Sequence, residues 1–99
     1  MIDKWQKILS LEDWTIVTEP IEPDSVTYDA DCPIEDRYYV GVHTKHLPGF
    51  NKQIATIYHD RALTERDVIH ELLHVRYPNW TEEMVNEVEE LLYNIKKDE

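Results

Sequence analysis

The clearest periodicity in the chain lies at residues 64–77. At about 100° per residue, Val68, Ile69, Leu72, Leu73 and Val75 fall on one side of a helix, and His70, Glu71 and His74 fall on the other. Thr64 with Asp67 three positions on reads as an N-cap and its reciprocal acid, so the helix is expected to start near Thr64. Pro78 ends it, because the residue before a proline is pushed out of helical geometry. A second helical stripe, Met84, Val85, Val88, Leu91, Leu92 and Ile95, predicts a final helix capped by Thr81, running to about Lys96 and burying all six residues. Trp5, Ile8, Leu9 and Leu11 predict a short first helix over residues 3–10, ending at Ser10.

Between the first two helices the period changes to two. Residues 14–18, rich in β-branched and aromatic side chains, predict a first strand that stops at Pro20. In residues 37–43, Tyr38, Val40 and Val42 alternate with Tyr39, Gly41 and His43, which marks a half-buried strand. A turn is expected over residues 45–52 around Pro48-Gly49. A third strand follows over residues 53–59, with Ile54, Thr56 and Tyr58 on one face and Ala55 and Ile57 on the other. Residues 20–36 carry three prolines, six acids and no apolar period, so they read as a long acidic loop. Asp29 and Asp31 resemble a fragment of a calcium loop, but the glycine and terminal glutamate of such a loop are missing. Strands and helices in this order give an α+β domain over residues 1–99, and no repeat or low-complexity tract interrupts it.

Composition narrows what such a domain meets. A formal net charge of −11 argues against nucleic acid or an anionic membrane as partner, since both would be repelled. The single cysteine, Cys32, has no internal disulfide partner, which suits a reducing compartment, and no Cys-rich zinc site can be built. Cys32 could approach a metal and hold an enzyme latent, although a lone loop cysteine is ordinarily only a small residue. The first residues lack an uninterrupted apolar region and no run approaches a spanning length, so a cytoplasmic location is expected.

The chemistry is concentrated in Val68-Ile69-His70-Glu71-Leu72-Leu73-His74. One helical turn apart, His70 and His74 present two imidazoles about 6 Å from one another at Cβ, a spacing that grips one divalent cation, usually zinc. Glu71, on the adjoining edge, can take a proton from a water on that metal. The plainer alternative is a polar helix face whose histidines are merely solvated. His43 and His46 sit three apart near a strand end, where they do not converge, and read as surface histidines.

A catalytic zinc needs a third protein ligand and an open position. The pattern H-E-x-x-H-x-x-G-x-x-H is excluded, because Tyr77 and Trp80 stand where it has its glycine and last histidine. The acids that begin the final helix are the next candidates, and here the chain resembles the gluzincins, in particular the minigluzincins, single-domain peptidases of about this length. Over residues 64–96 the resemblance implies His70 and His74 as ligands, Glu71 as general base, Glu82 as third ligand, Val85 as the intervening apolar residue, and Asn86 as the group that holds a ligand imidazole by a hydrogen bond. Glu83 and Glu87 are neighbouring alternatives to Glu82, and acids at a helix start can also simply complement its dipole. A competing resemblance is to SprT-like zinc peptidases, through His70 to His74 followed by Arg76-Tyr77-Pro78-Asn79, but those use a third histidine that this chain lacks.

The fold implied is zincin-like: a small twisted, mostly antiparallel sheet with an N-terminal helix, the HExxH helix and a C-terminal helix that closes the site. The activity implied is zinc-dependent hydrolysis of a peptide or protein substrate. An extended substrate would pair with an edge strand, residues 53–59 or 37–43, and Tyr93, Tyr77 and His59 are candidates to stabilise the oxyanion. The alternative is a zinc-binding regulatory or protein-interaction module, in which the metal mainly clamps two helices. A latent enzyme, with residues 94–99 folded over the open metal position, is intermediate between them. The oligomeric state is left open.

Overall fold

A computed structural model of the chain describes residues 1–22, 40–49 and 52–96. The elements are α1 (Ile2–Ile8), β1 (Trp14–Pro20), β2 (Val40–Leu47), β3 (Lys52–His59), α2 (Glu65–Arg76) and α3 (Glu82–Lys96). The acidic loop beyond Glu22, with Cys32 and the start of the second strand, lies outside the described residues, as do residues 97–99.

The three strands form one sheet in the order β1-β3-β2. β2 and β3 are antiparallel, but β1 runs parallel to β3, from Trp14 opposite Gln53 to Pro20 opposite His59. The sheet is therefore mixed, not mostly antiparallel. The most apolar strand occupies the middle, where Ala55 and Ile57 are fully buried. β2 runs opposite to β3, and β1 ends at the same end of the sheet at which β2 begins, so β1 lies antiparallel in direction to β2 and parallel to β3.

Local chemistry explains the boundaries that differ from expectation. α1 stops at Ile8, and Ser10 adopts a left-handed φ of 58°. The Gln6 amide donates to the carbonyls of Leu11 (2.9 Å) and Trp14 (2.6 Å), which fixes the entry into β1. Pro20 is the last residue of β1 rather than a stop before it, since a proline at the end of an edge strand removes no needed donor. β2 continues to Leu47, because residues 44–47 keep pairing with β3, and the turn shrinks to the segment around Gly49, at φ 87°.

The capping box of α2 is present: Asp67 N–H donates to Thr64 Oγ1 (3.2 Å), and Thr64 N–H donates to Asp67 Oδ2 (2.9 Å). Val68, Ile69, Leu72 and Leu73 are fully buried and Val75 nearly so, packed with Trp5, Leu9, Leu11, Ala55, Ile57 and Val85 in one core. α2 is the hub, in contact with α1, β2 and α3.

In α3 the six-residue stripe is only partly realised. Val85 is buried, and Val88 and Leu92 are half-buried, whereas Met84, Leu91 and Ile95 are exposed. α3 rests on α2 along a narrow face, and Glu89 takes a place in the interior that the apolar period did not assign to it. Among the described residues, no helix is long and apolar enough to cross a membrane.

Candidate metal centre

α2 and α3 are joined by a turn that is itself packed. Tyr77 and Trp80 stack nearly parallel, with centroids 4.1 Å apart and planes at 7°, and the Arg76 guanidinium lies 5.0 Å over Tyr77. Trp80 N–H donates to the Tyr77 carbonyl at 3.0 Å, and Thr81 Oγ1 accepts from Met84 N–H at 3.2 Å, so α3 starts with a capped first turn. This short reversal brings Glu82 back beside the histidines of α2.

The result is a convergent triad. His70 Nε2 and His74 Nε2 are 3.2 Å apart, and the Glu82 carboxylate touches both, at 3.2 Å from His70 and in closer contact with His74. One ligand atom from each of the three lies within 4.8 Å of the others. A tetrahedral ion with metal–nitrogen bonds of about 2.0–2.1 Å would hold two imidazole nitrogens roughly 3.3 Å apart, so the histidines already stand at ligating separation. The donor set of two imidazoles and one carboxylate fits a divalent cation. Glu82 is the acid that meets the histidines, while Glu83 and Glu87 are exposed and do not join them.

Glu71 lines the same cavities as His70, as its place on the helix implies, but it is only 5% exposed. Among the described residues it makes no hydrogen bond or ion pair, yet it lines both cavities at the triad. Burial pushes its carboxyl up from an ordinary 4.5 to about 7; Glu82, Asp67 and Glu89 push the same way, and His70 pulls it back. For His70, burial acts to lower the imidazole below its ordinary 6.5. The hydrogen bond to Glu89 and the charges of Glu71, Glu82 and Glu89 outweigh burial and hold it above that value.

The partner of His70 is a residue that spacing did not single out. His70 Nδ1 donates to Glu89 Oε1 at 2.8 Å, and Arg66 Nε donates to Glu89 Oε2 at 2.8 Å. Asn86 lines the cavity on that side but, among the described residues, makes no hydrogen bond to either imidazole. Glu89 stands two turns beyond Glu82 on the same helix face, a heptad step that was visible, but five acids between positions 82 and 90 gave no reason to prefer it.

Two cavities open at the triad. One, of 440 Å³, is lined by Arg66, Asp67, Asn86 and Glu89 besides His70, Glu71 and Glu82. The other, of 570 Å³, runs between the triad and residues 40–44 of β2 and is flanked by Pro78. None of the three oxyanion candidates lines either cavity. Tyr77 is stacked on Trp80, Tyr93 lies under the Arg66 guanidinium (5.6 Å), and His59 Nδ1 meets the Arg61 carbonyl at 2.8 Å. Of the strand histidines, His43 borders the larger cavity and His46 packs edge-on to Trp14 at 6.0 Å. Comparisons with protein-family models, with curated proteins and with solved structures gave no match for this chain.

Proposed function

We propose that this chain is a zinc-dependent peptidase of the gluzincin type, with a zincin-like fold, acting on peptide or protein substrates in the cytoplasm. The observation that carries the reading is Glu71: a buried carboxylate without a protein partner among the described residues, facing the cavities beside a triad of atoms that could hold a metal ion. Burying a carboxylate unpaired is costly, and such a group in a cleft is characteristic of catalytic acids and bases. Zinc, held by His70, His74 and Glu82, would supply Lewis-acid polarisation of the scissile carbonyl and acidify a water near neutral pH. Glu71 takes the proton that the attacking water gives up and returns it to the amine leaving group.

The cavity along β2 supports the choice of substrate. β3 is central and has both edges paired, whereas among the described residues β2 is an edge strand, so the backbone of residues 40–44 offers the ladder on which an extended peptide can lie past the triad. The reading as a zinc-dependent regulatory module draws on a different fact: the ligands span two helices, so one ion would clamp α3 to α2.

The deciding experiment combines zinc stoichiometry with a peptide-library cleavage assay on the intact chain and on Glu71→Gln. One zinc per chain in both, with cleavage only by the intact chain, supports the peptidase. One zinc with no cleavage by either transfers the site to the clamp reading. Absence of zinc binding removes both.

A further inference from the structure

The geometry points to Glu89, held in place by Arg66, as the positioning residue that fixes the His70 imidazole with Nε2 aimed at Glu82 and His74. The inference rests on the proposed metal centre and concerns what aligns it. Three features carry it. The Glu89 side chain is only 11% exposed, and its two carboxylate oxygens are assigned one each: Oε1 accepts from His70 Nδ1 and Oε2 accepts from Arg66 Nε, both at 2.8 Å. The two donors meet two different oxygens, which a carboxylate has and a side-chain amide lacks. A neutral imidazole that donates from Nδ1 is left with its lone pair on Nε2, the atom that stands 3.2 Å from the His74 nitrogen.

Arg66 has a distinct part. It lies one turn before His70 on α2, so the guanidinium and the imidazole reach α3 side by side and grip one carboxylate between them. Bound to Arg66 through Oε2, Glu89 is kept on the Nδ1 side of His70 and is not free to swing to the Nε2 side and compete with Glu82. Arg66 is in turn placed by Tyr93, whose ring lies 5.6 Å beneath the guanidinium. The run Tyr93, Arg66, Glu89, His70 thus orders one face of the centre. Asn86, an exposed amide on the same helix, has no part in it among the described residues.

The test uses the full chain and two readouts, zinc affinity by chelator competition and the His70 tautomer by long-range proton–nitrogen NMR of the metal-free protein above the imidazole range. Because removing Arg66 alone leaves the nearly buried Glu89 charge without its partner, the informative variant is Arg66→Met/Glu89→Leu, which replaces both by apolar groups of similar size. The expected result is a His70 protonated at Nδ1 in the intact chain, loss of that preference in the double variant, and a 10- to 100-fold fall in zinc affinity, with Asn86→Ala changing neither. Retention of the Nδ1 tautomer and of full zinc affinity in the double variant would overturn the inference. If the intact chain takes up no zinc but shows the tautomer and loses it in the double variant, the orienting role stands and the metallopeptidase reading is what fails.

Discussion

His70 Nε2 and His74 Nε2 face one another at 3.2 Å, one helical turn apart, with the Glu82 carboxylate closing the third side. Two imidazole nitrogens and a carboxylate oxygen at this separation make a donor set that could hold one divalent cation. Zinc binding is therefore expected at one ion per chain, lost in His74→Ala, weakened at least tenfold in Glu82→Gln and unchanged in Glu83→Gln. Isothermal titration of the metal-free chain and the three variants measures this, and an equal loss in Glu82→Gln and Glu83→Gln would contradict the ligand set.

Acid–base behaviour of the metal-free chain follows from Glu71. Between its ordinary 4.5 and the folded value of about 7, the folded chain holds a proton that the unfolded chain has released, so stability falls as pH rises through this window. His70, raised above 6.5, acts in the same direction, its contribution being present below 6.5 and lost above the folded value. At about 1.4 kcal/mol per unit, Glu71 alone accounts for up to about 3 kcal/mol. Denaturant unfolding at about pH 5 and about pH 8 should show the loss, and Glu71→Gln, which cannot ionise, should flatten it. An equal pH dependence in Glu71→Gln would assign the effect elsewhere.

The turn between the helices offers a separate lever on the metal. Trp80→Ala removes the stack on Tyr77, costing about 1 kcal/mol of stability beyond the lost contact area. Because Glu82 follows two residues later, the same change should weaken zinc binding while leaving the tautomer of His70 as it was. Thermal unfolding and chelator competition on the same variant separate the two effects.

Within α2, Thr64→Ala breaks the reciprocal cap with Asp67 and is expected to cost about 1 kcal/mol, and Leu72→Ala, at the centre of the core, about 2–5 kcal/mol. Both are read by denaturant midpoint at constant slope. Similar losses at the two positions would mean that the core around Leu72 is looser than its full burial indicates.

The parts of this molecule that the sequence discloses are those where one local rule governs. Thr64, Asp67 and the Val68 to Val75 stripe determine α2, its cap and its buried face without reference to anything distant, and the HExxH spacing then puts two imidazoles together by helical geometry alone. The choice of Glu82 over Glu83 required the turn conformation, which Tyr77 and Trp80 set by stacking. Glu89 was illegible for another reason: its role depends on which face of α3 meets α2, and the apolar period, diluted by Met84, Leu91 and Ile95, pointed to a broader face than the one that packs. The parallel pairing of β1 with β3 was equally hidden, since strand composition carries no direction.

The order of the sheet also bears on how the chain reaches its native state. The last two helices meet through ligands twelve positions apart, His70 and Glu82, and the strands of the hairpin meet across a tight turn, whereas Trp14 must find Gln53 across the whole acidic stretch. Loop closure costs more entropy as the intervening chain lengthens, so the helical hairpin closes at a lower entropic cost than the pairing of β1 with β3. The half of the molecule that carries His70, His74 and Glu82 is thereby joined through nearby sequence, whereas α1 and β1 are tied to it across the longest closure.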